Sequence, residues 1–429
     1  MSGTTRHATH HRLGAGTLTL TSDTPRADLP VRIAERRNPK RAFLFVSTLL
    51  GRHIPVDPRR LRWATDTLAA RVAPHLGDGP VLVAGFAETA IGLGAGVFDA
   101  LRRVPRPAGS GSVGSGPVSS GSVSYLPTTR FPTAPEDVWF TLSEDHSHAP
   151  DHTVLRPAEG VWPEGGVPPG EGEADATLVL VDDETTTGST FAALAAGFAA
   201  RGLRFARVVT VTLTDWSSGE AVRRIAPTWP GARVASVALA RGTWRWDARA
   251  GAEPPAPPAG RAPICDPWSP SRDGPFAAPR LGLAGGAPGP DGEALWAALR
   301  GRGLDAVAPG ERVLVIGTGE HVWQPFLLAE AMAARHARVG LVATTRSPIA
   351  EGPVIAHKSV FPDHYGLGRE MYLHNADPTA WDRAVIWTET GMDGLADGLL
   401  DDLSAHPRAQ AIDGEGNVRT LRAARTAAA

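Results

Sequence analysis

The 429 residues exceed the usual size of one domain, and 42% of them are hydrophobic, enough to fill two cores. Lys plus Arg (43) almost balances Asp plus Glu (45), so the net charge of −2 offers no basic field for nucleic acid or anionic lipid. The single cysteine, Cys265, cannot close an internal disulfide, and no apolar run has the form of a signal peptide or a membrane span. The composition therefore predicts a soluble, cytoplasmic protein of two folded units.

Residues 1–27 are polar, with His7, His10 and His11 among threonines, and are predicted as a disordered tail. The basic cluster Arg36-Arg-Asn-Pro-Lys-Arg41 leads into a β-prone run and then Gly51-Arg-His-Ile-Pro-Val56. Leu61 to Leu76 suits a helix closed by Gly77-Asp-Gly-Pro80, and Val81 to Ala90 reads as a buried strand, a loop and a helix start. Residues 105–124 hold Pro, Gly, Ser and Val without pattern, which predicts a flexible insertion. Short strands at Tyr125 to Arg130 and Val138 to Leu142 precede a long polar loop that contains His146, His148 and His152. Thr177 to Val181 is a continuous apolar and β-branched run of parallel-strand type, followed by a helix over Phe191 to Ala200 and strands at Ala206 to Leu213 and Val234 to Ala240.

This alternation predicts an α/β domain over 28–248, with a parallel sheet flanked by helices. A Pro-rich stretch over 249–267 predicts a linker. A second, smaller α/β unit, Rossmann-like in pattern, is expected over 268–422: helix Asp291 to Arg300, strand Arg312 to Ile316, loop Gly317-Thr-Gly-Glu320, helix Pro325 to Arg335, and strands Val339 to Thr344 and Ala384 to Trp387.

The most informative segment is Val179-Leu-Val-Asp-Asp-Glu-Thr-Thr-Thr-Gly-Ser-Thr190. A strand that ends in two acids and passes through a Thr/Gly loop into a helix sets those acids at the carboxyl end of a parallel sheet, where such sheets bind ligands. Backbone amides and hydroxyls of Thr186, Thr187, Ser189 and Thr190 can receive a phosphate, with Gly188 allowing close approach. Asp182 and Asp183 stand where two ribose hydroxyls could donate to them. The competing reading is a solvated turn whose threonines cap a helix.

The segment resembles the phosphoribosyl diphosphate signature of type I phosphoribosyltransferases, and its paired threonines are similar to those of the orotate enzymes. The resemblance implies that Asp182 and Asp183 hold the ribose and that Thr186 to Thr190 hold the 5′-phosphate. Purine enzymes of the class commonly carry an Asp at the position of Thr186, so a purine acceptor is disfavoured. Gly85-Phe-Ala-Glu-Thr-Ala-Ile-Gly92 lies where the family places its pyrophosphate loop, which assigns Ala87, Glu88 and Thr89 to pyrophosphate. Tyr125 to His152 lies where the family has a mobile lid, with Arg130 facing pyrophosphate and His146, His148 and His152 closing over the site. The histidines could equally be a solvated loop or ligate zinc. Mg²⁺ is the implied cofactor, held through substrate oxygens rather than by a dedicated protein cage. The implied substrates are phosphoribosyl diphosphate and a base-like acceptor, with a homodimer as the common assembly.

Thr345-Arg-Ser-Pro348, together with Gly317-Thr-Gly-Glu320, resembles the TRSP domain, the C-terminal companion of orotate-type phosphoribosyltransferase domains in bacterial tellurite-resistance-associated gene clusters. Gly317, Thr318, Gly319, Glu320, Arg346 and Ser347 all follow strands of one presumed sheet and could form a second polar site, joined by Lys358, Asp363, His364 and Tyr365. A structural or docking role for these strand ends is the alternative. The combined reading is a transferase that makes a nucleotide-like metabolite; a phosphoribosyl-binding sensor, or a hydrolase or phosphorylase on the same cradle, remain open.

Overall fold

The computed structural model describes residues 5–36, 42–104, 122–131, 134–142, 152–162, 175–251, 275–285 and 291–421. His146 and His148, Cys265, most of the expected insertion and most of the expected linker lie outside them. Among the described residues the first half is built on a ten-stranded sheet. Its centre consists of five parallel strands, in the spatial order Arg233–Ala248, Arg207–Asp215, Thr177–Val181, Val81–Gly85 and Val123–Thr129. Thr177–Val181 and Val81–Gly85 are buried at every position, as their unbroken apolar character requires of strands covered on both faces. Helices Pro58–Val72, Ile91–Arg103 and Ser189–Ala199 pack on this sheet through Leu61, Leu68, Phe98, Leu101, Phe191 and Leu194. The α/β expectation holds.

Two expectations fail at the sheet's edges. Residues 1–27 are not a tail from His7 onward, because His7–Leu13 and Gly16–Ser22 form an antiparallel hairpin that extends the sheet beside Arg233–Ala248. The cause is the alternation Thr17-Leu-Thr-Leu-Thr21, a period-2 pattern that turns Leu18 and Leu20 onto Phe43, Phe45, Trp216 and Ala240. The expected insertion, in turn, ends sooner than 124: Val123 and Ser124 already belong to a strand buried along its whole length, so Tyr125 is a core residue and no part of a lid.

The second half holds a five-stranded sheet in the order Arg338–Ala343, Arg312–Gly317, Arg383–Trp387, Ala409–Ile412 and Val418–Leu421, parallel except for the last strand. Helices Gly292–Gly301 and Trp323–Ala333 cover one face. The two halves are interleaved rather than strung on a linker. Val56 of the first half exchanges both backbone hydrogen bonds with Leu341 on the edge of the second sheet (2.9 and 2.8 Å), and Leu283 does the same with Tyr125 on the first sheet (2.9 and 3.0 Å). One apolar cluster runs through both, from Leu61, Val83 and Phe98 to Trp323, Phe326 and Trp387. Leu18→Ala, which hollows the cluster under the N-terminal hairpin, is expected to cost about 3 kcal/mol, seen as a lower urea midpoint; an unchanged midpoint would mean that the hairpin does not pack as described.

Candidate active site

Val81–Gly85 and Thr177–Val181 are parallel neighbours with Gly85 opposite Val181, so the loops that leave their carboxyl ends must lie side by side. The contact is direct: Thr89 Oγ1 donates to Asp183 Oδ1 at 3.2 Å, joining two motifs that are 94 residues apart in sequence. Asp183 N donates to Asp182 Oδ1 at 2.9 Å, which sets the two carboxyls next to each other. Burial and the charge of Asp183 hold the Asp182 carboxyl well above its ordinary range, and burial raises Asp183 as well. A carboxylate pair of this kind gains from hydroxyl donors or a nearby cation.

Gly188 begins helix Ser189–Ala199 with a left-handed backbone (φ 74°), and a Cβ there would run into Ala221. Gly188 itself offers no side-chain cap, Thr187 Oγ1 accepts from Ser189 N at 3.4 Å, Thr187 and Ser189 are exposed and share a hydroxyl hydrogen bond of 3.0 Å, and Thr186 is half-buried. The start of the helix thus turns a glycine-initiated turn and several hydroxyls to solvent, the arrangement that receives a phosphate. Glu184 and Thr185 pair in parallel with Thr214 and Asp215, which fixes the loop's exit.

The Ala87–Glu88 peptide is cis. Ala87 N donates to Thr128 Oγ1 (2.8 Å), Thr128 Oγ1 contacts His152 Nδ1 (2.9 Å), and His152 Nε2 lies 2.6 Å from Arg130 Nη2. Arg130 Nε also reaches Ala87 O at 3.4 Å. Arg130 therefore stands against the Ala87–Thr89 loop, whereas His152 is buried in the strand His152–Leu155 and lies behind that loop instead of covering it.

The second group of residues singled out in the sequence does not form a separate open site. Glu320 Oε2 accepts from Thr129 Oγ1 (2.6 Å) and Arg280 Nη1 (3.1 Å), and Glu320 Oε1 accepts from Arg130 N (2.8 Å). Arg346 Nε donates to Glu88 Oε2 at 2.8 Å. Gly319 N donates to Thr344 Oγ1 (2.8 Å), whose hydroxyl lies 3.2 Å from His364 Nε2, and Tyr365 donates to Glu389 at 2.7 Å. Thr318 is fully buried. Ser347 N donates to Thr345 Oγ1 (3.2 Å), and Lys358 Nζ lies against Tyr372. Asp363 accepts from the amides of Tyr365, Leu367 and Arg369 and so closes its own turn.

Sequence reasoning missed Arg52, Arg280 and Glu389. Arg52 Nη1 donates to Gly319 O (2.6 Å) and Thr344 O (2.7 Å), its Nη2 donates to Glu88 O, and Arg280 forms a two-pronged pair with Glu389 at 2.7 and 2.5 Å. Arg280 and Glu389 are 109 residues apart. No local spacing announces such a pair, although Gly51, with its left-handed φ of 67°, does mark a forced turn before Arg52.

Residues 31–243 match the model of a phosphoribosyl transferase family, and residues 292–403 match that of the TRSP domain C-terminal to it. No curated protein matches the chain. Among solved structures, the chain is similar to the adenine phosphoribosyltransferase of Giardia lamblia complexed with 9-deazaadenine (16% identity over 49% of this chain and 93% of that one, TM-score 0.30). It is also similar to the adenine enzyme of Leishmania tarentolae (16% over 49% and 83%, TM-score 0.31) and to the orotate phosphoribosyltransferase of Aeropyrum pernix (20% over 46% and 79%, TM-score 0.26).

The raised pKa of Asp182 has a stability consequence with a definite sign. A carboxyl whose folded value lies above its unfolded one favours folding at low pH, and that contribution is lost as pH rises through the folded value. Asp182→Asn is therefore expected to raise the melting temperature of the ligand-free protein at pH 7 and to have no such effect below about pH 4, where both states are protonated. A uniform shift at all pH values would contradict the assignment.

Proposed function

Because the chain joins a phosphoribosyl transferase domain to a C-terminal TRSP domain, we propose that it transfers the 5-phosphoribosyl group of phosphoribosyl diphosphate to a base-like acceptor and releases pyrophosphate. The observation that carries this reading is the Thr89–Asp183 hydrogen bond, which makes one site of the acid-Thr-Gly loop and the Ala87–Thr89 loop. Asp182 and Asp183 accept hydrogen bonds from the ribose hydroxyls, and this orients C1 and favours the positive charge that builds on the ring as pyrophosphate departs. The amides and hydroxyls from Thr186 to Thr190 hold the 5′-phosphate, which anchors the sugar at its far end. Arg130 and the amides of the Ala87–Thr89 loop receive the pyrophosphate.

The paired acids, both raised by burial and Asp182 also by the charge of Asp183, are hard oxygen donors suited to a site that receives Mg²⁺ with its substrate. Bound through diphosphate oxygens, Mg²⁺ would lower the charge of the leaving group. Thr186, where purine enzymes of the resembling class carry an acid, favours a pyrimidine-like acceptor.

The test is to incubate the full chain with phosphoribosyl diphosphate, Mg²⁺ and a panel including orotate and adenine, following pyrophosphate release and new nucleotides by mass spectrometry. We expect turnover with at least one base and a loss of about 100-fold or more for Asp183→Asn, the order of effect seen when a transition-state charge contact is removed. Absence of transfer to every base, or near-normal turnover by Asp183→Asn, would overturn the reading.

A further inference from the structure

The Ala87–Thr89 loop carries an acid, Glu88, where the proposed function requires an anion to bind. An uncompensated carboxylate at that position would repel pyrophosphate. The close compensation comes from the other half of the chain. Arg346 Nε donates to Glu88 Oε2 at 2.8 Å, and Arg346 N donates to Glu88 Oε1 at 3.3 Å, so one residue of the Thr345-Arg-Ser-Pro348 motif grips both carboxylate oxygens. Arg52 adds a longer contact, 3.5 Å from its Nη1 to Glu88 Oε1, because that nitrogen already donates to Gly319 O and Thr344 O.

Burial opposes ionisation of Glu88, but Arg346 first, then Arg52 and Arg130, more than offset it and hold the carboxyl below its ordinary value. Arg346 lies over the Phe131 ring at 5.0 Å, next to Arg130, and its Nη1 has no hydrogen-bond partner among the described residues. Its guanidinium is thus held against the Ala87–Thr89 loop by the Glu88 pair and the Phe131 ring.

We propose that the TRSP half serves as the electrostatic support of the pyrophosphate loop, with Arg346 a positioning residue that neutralises Glu88 from across the domain boundary. The inference rests on the assignment of Ala87–Thr89 to pyrophosphate made above. It gives the TRSP motif a role within the transferase site rather than a separate chemistry of its own. It also accounts for the placement of an acid at an anion loop, since the Glu88–Arg346 pair couples the shape of that loop to docking of the second half.

The experiment compares full-length R346M, E88Q and E88Q/R346M with wild type by calorimetric titration of Mg²⁺–pyrophosphate, with thermal melts run in parallel. R346M leaves a buried carboxylate short of its main partner and is expected to weaken binding about tenfold or more, whereas E88Q/R346M, with no charge left to compensate, is expected to return to within about threefold of wild type. A salt bridge that merely braces the fold would lower the melt without this recovery of affinity in the double variant. Wild-type affinity in R346M, or a double variant no better than R346M, would overturn the proposal. Should R346M fail to fold, the double variant decides alone: affinity within about threefold of wild type supports the proposal and a loss beyond about tenfold overturns it. Binding of Mg²⁺–pyrophosphate without transfer to any base would sink the transferase reading only, and absence of binding by wild type would sink both.

Discussion

The buried charge junction around Glu88, Arg52 and Arg346 on one side and Glu320, Arg280 and Glu389 on the other decides how the two halves meet, and the candidate active site takes its shape from it. Each of these side chains is largely withdrawn from water. Ions so placed rarely add net stability over apolar residues of the same size, but leaving any one of them unpaired is costly. The junction therefore works chiefly by exclusion: an arrangement of the halves that slid one residue out of register would strand several charges at once. Arg280 illustrates the division of labour. Burial raises the carboxyls of both Glu320 and Glu389, and the two-pronged Arg280 contact brings Glu389 below its ordinary value; Glu320, with one Arg280 nitrogen, Thr129 and the Arg130 amide to oppose burial, remains raised.

The strength of the association comes from apolar contact. Trp323 and Phe326 of the second half lie in the same cluster as the first half's helices, and Arg62 is held over both rings while pairing with Glu330 and Asp99. Burial of such aromatic surface supplies a few kcal/mol per side chain, and the ion pairs then select one of the many ways in which that surface could be covered. Hydrophobic contact and charge contact thus answer different questions, how firmly and in which register.

The parallel sheets were legible because central strands such as Val81–Gly85, Thr177–Val181 and Arg312–Gly317 are dense in Val, Leu, Ile and Ala, and the candidate cradle because its acids, threonines and glycine are contiguous from Asp182 to Thr190. Thr17-Leu-Thr-Leu-Thr21 carries an equally regular alternation, but the neighbouring polar residues conceal it, so the composition reads as a tail where the backbone forms a hairpin. Glu320 and Arg346 stand out in the sequence as polar strand-end residues of a possible second site, but their partners Thr129 and Glu88 are 191 and 258 positions away. Periodicity and motif spacing describe near neighbours along the chain; a contact between two loops of different sheets leaves no trace in either. The sequence consequently pointed to the residues of the junction without pointing to the junction.

The interleaved strands limit how this site can open. If the halves parted as rigid bodies, the paired hydrogen bonds of Val56 with Leu341 and of Tyr125 with Leu283 would break together with Ala343 N to Gly51 O at 2.8 Å. Each such backbone bond is worth about 1 kcal/mol net, and several kcal/mol when its groups are left buried and unpaired. Hinge opening would also draw Arg346 off Glu88 and Arg52 off the carbonyls of Gly319 and Thr344, leaving the Glu88 carboxylate without its closest partner. Access for a substrate is therefore more readily gained by local movement of loops over a fixed junction. The second half thus braces the Ala87–Thr89 loop through the Glu88–Arg346 pair rather than gating the site.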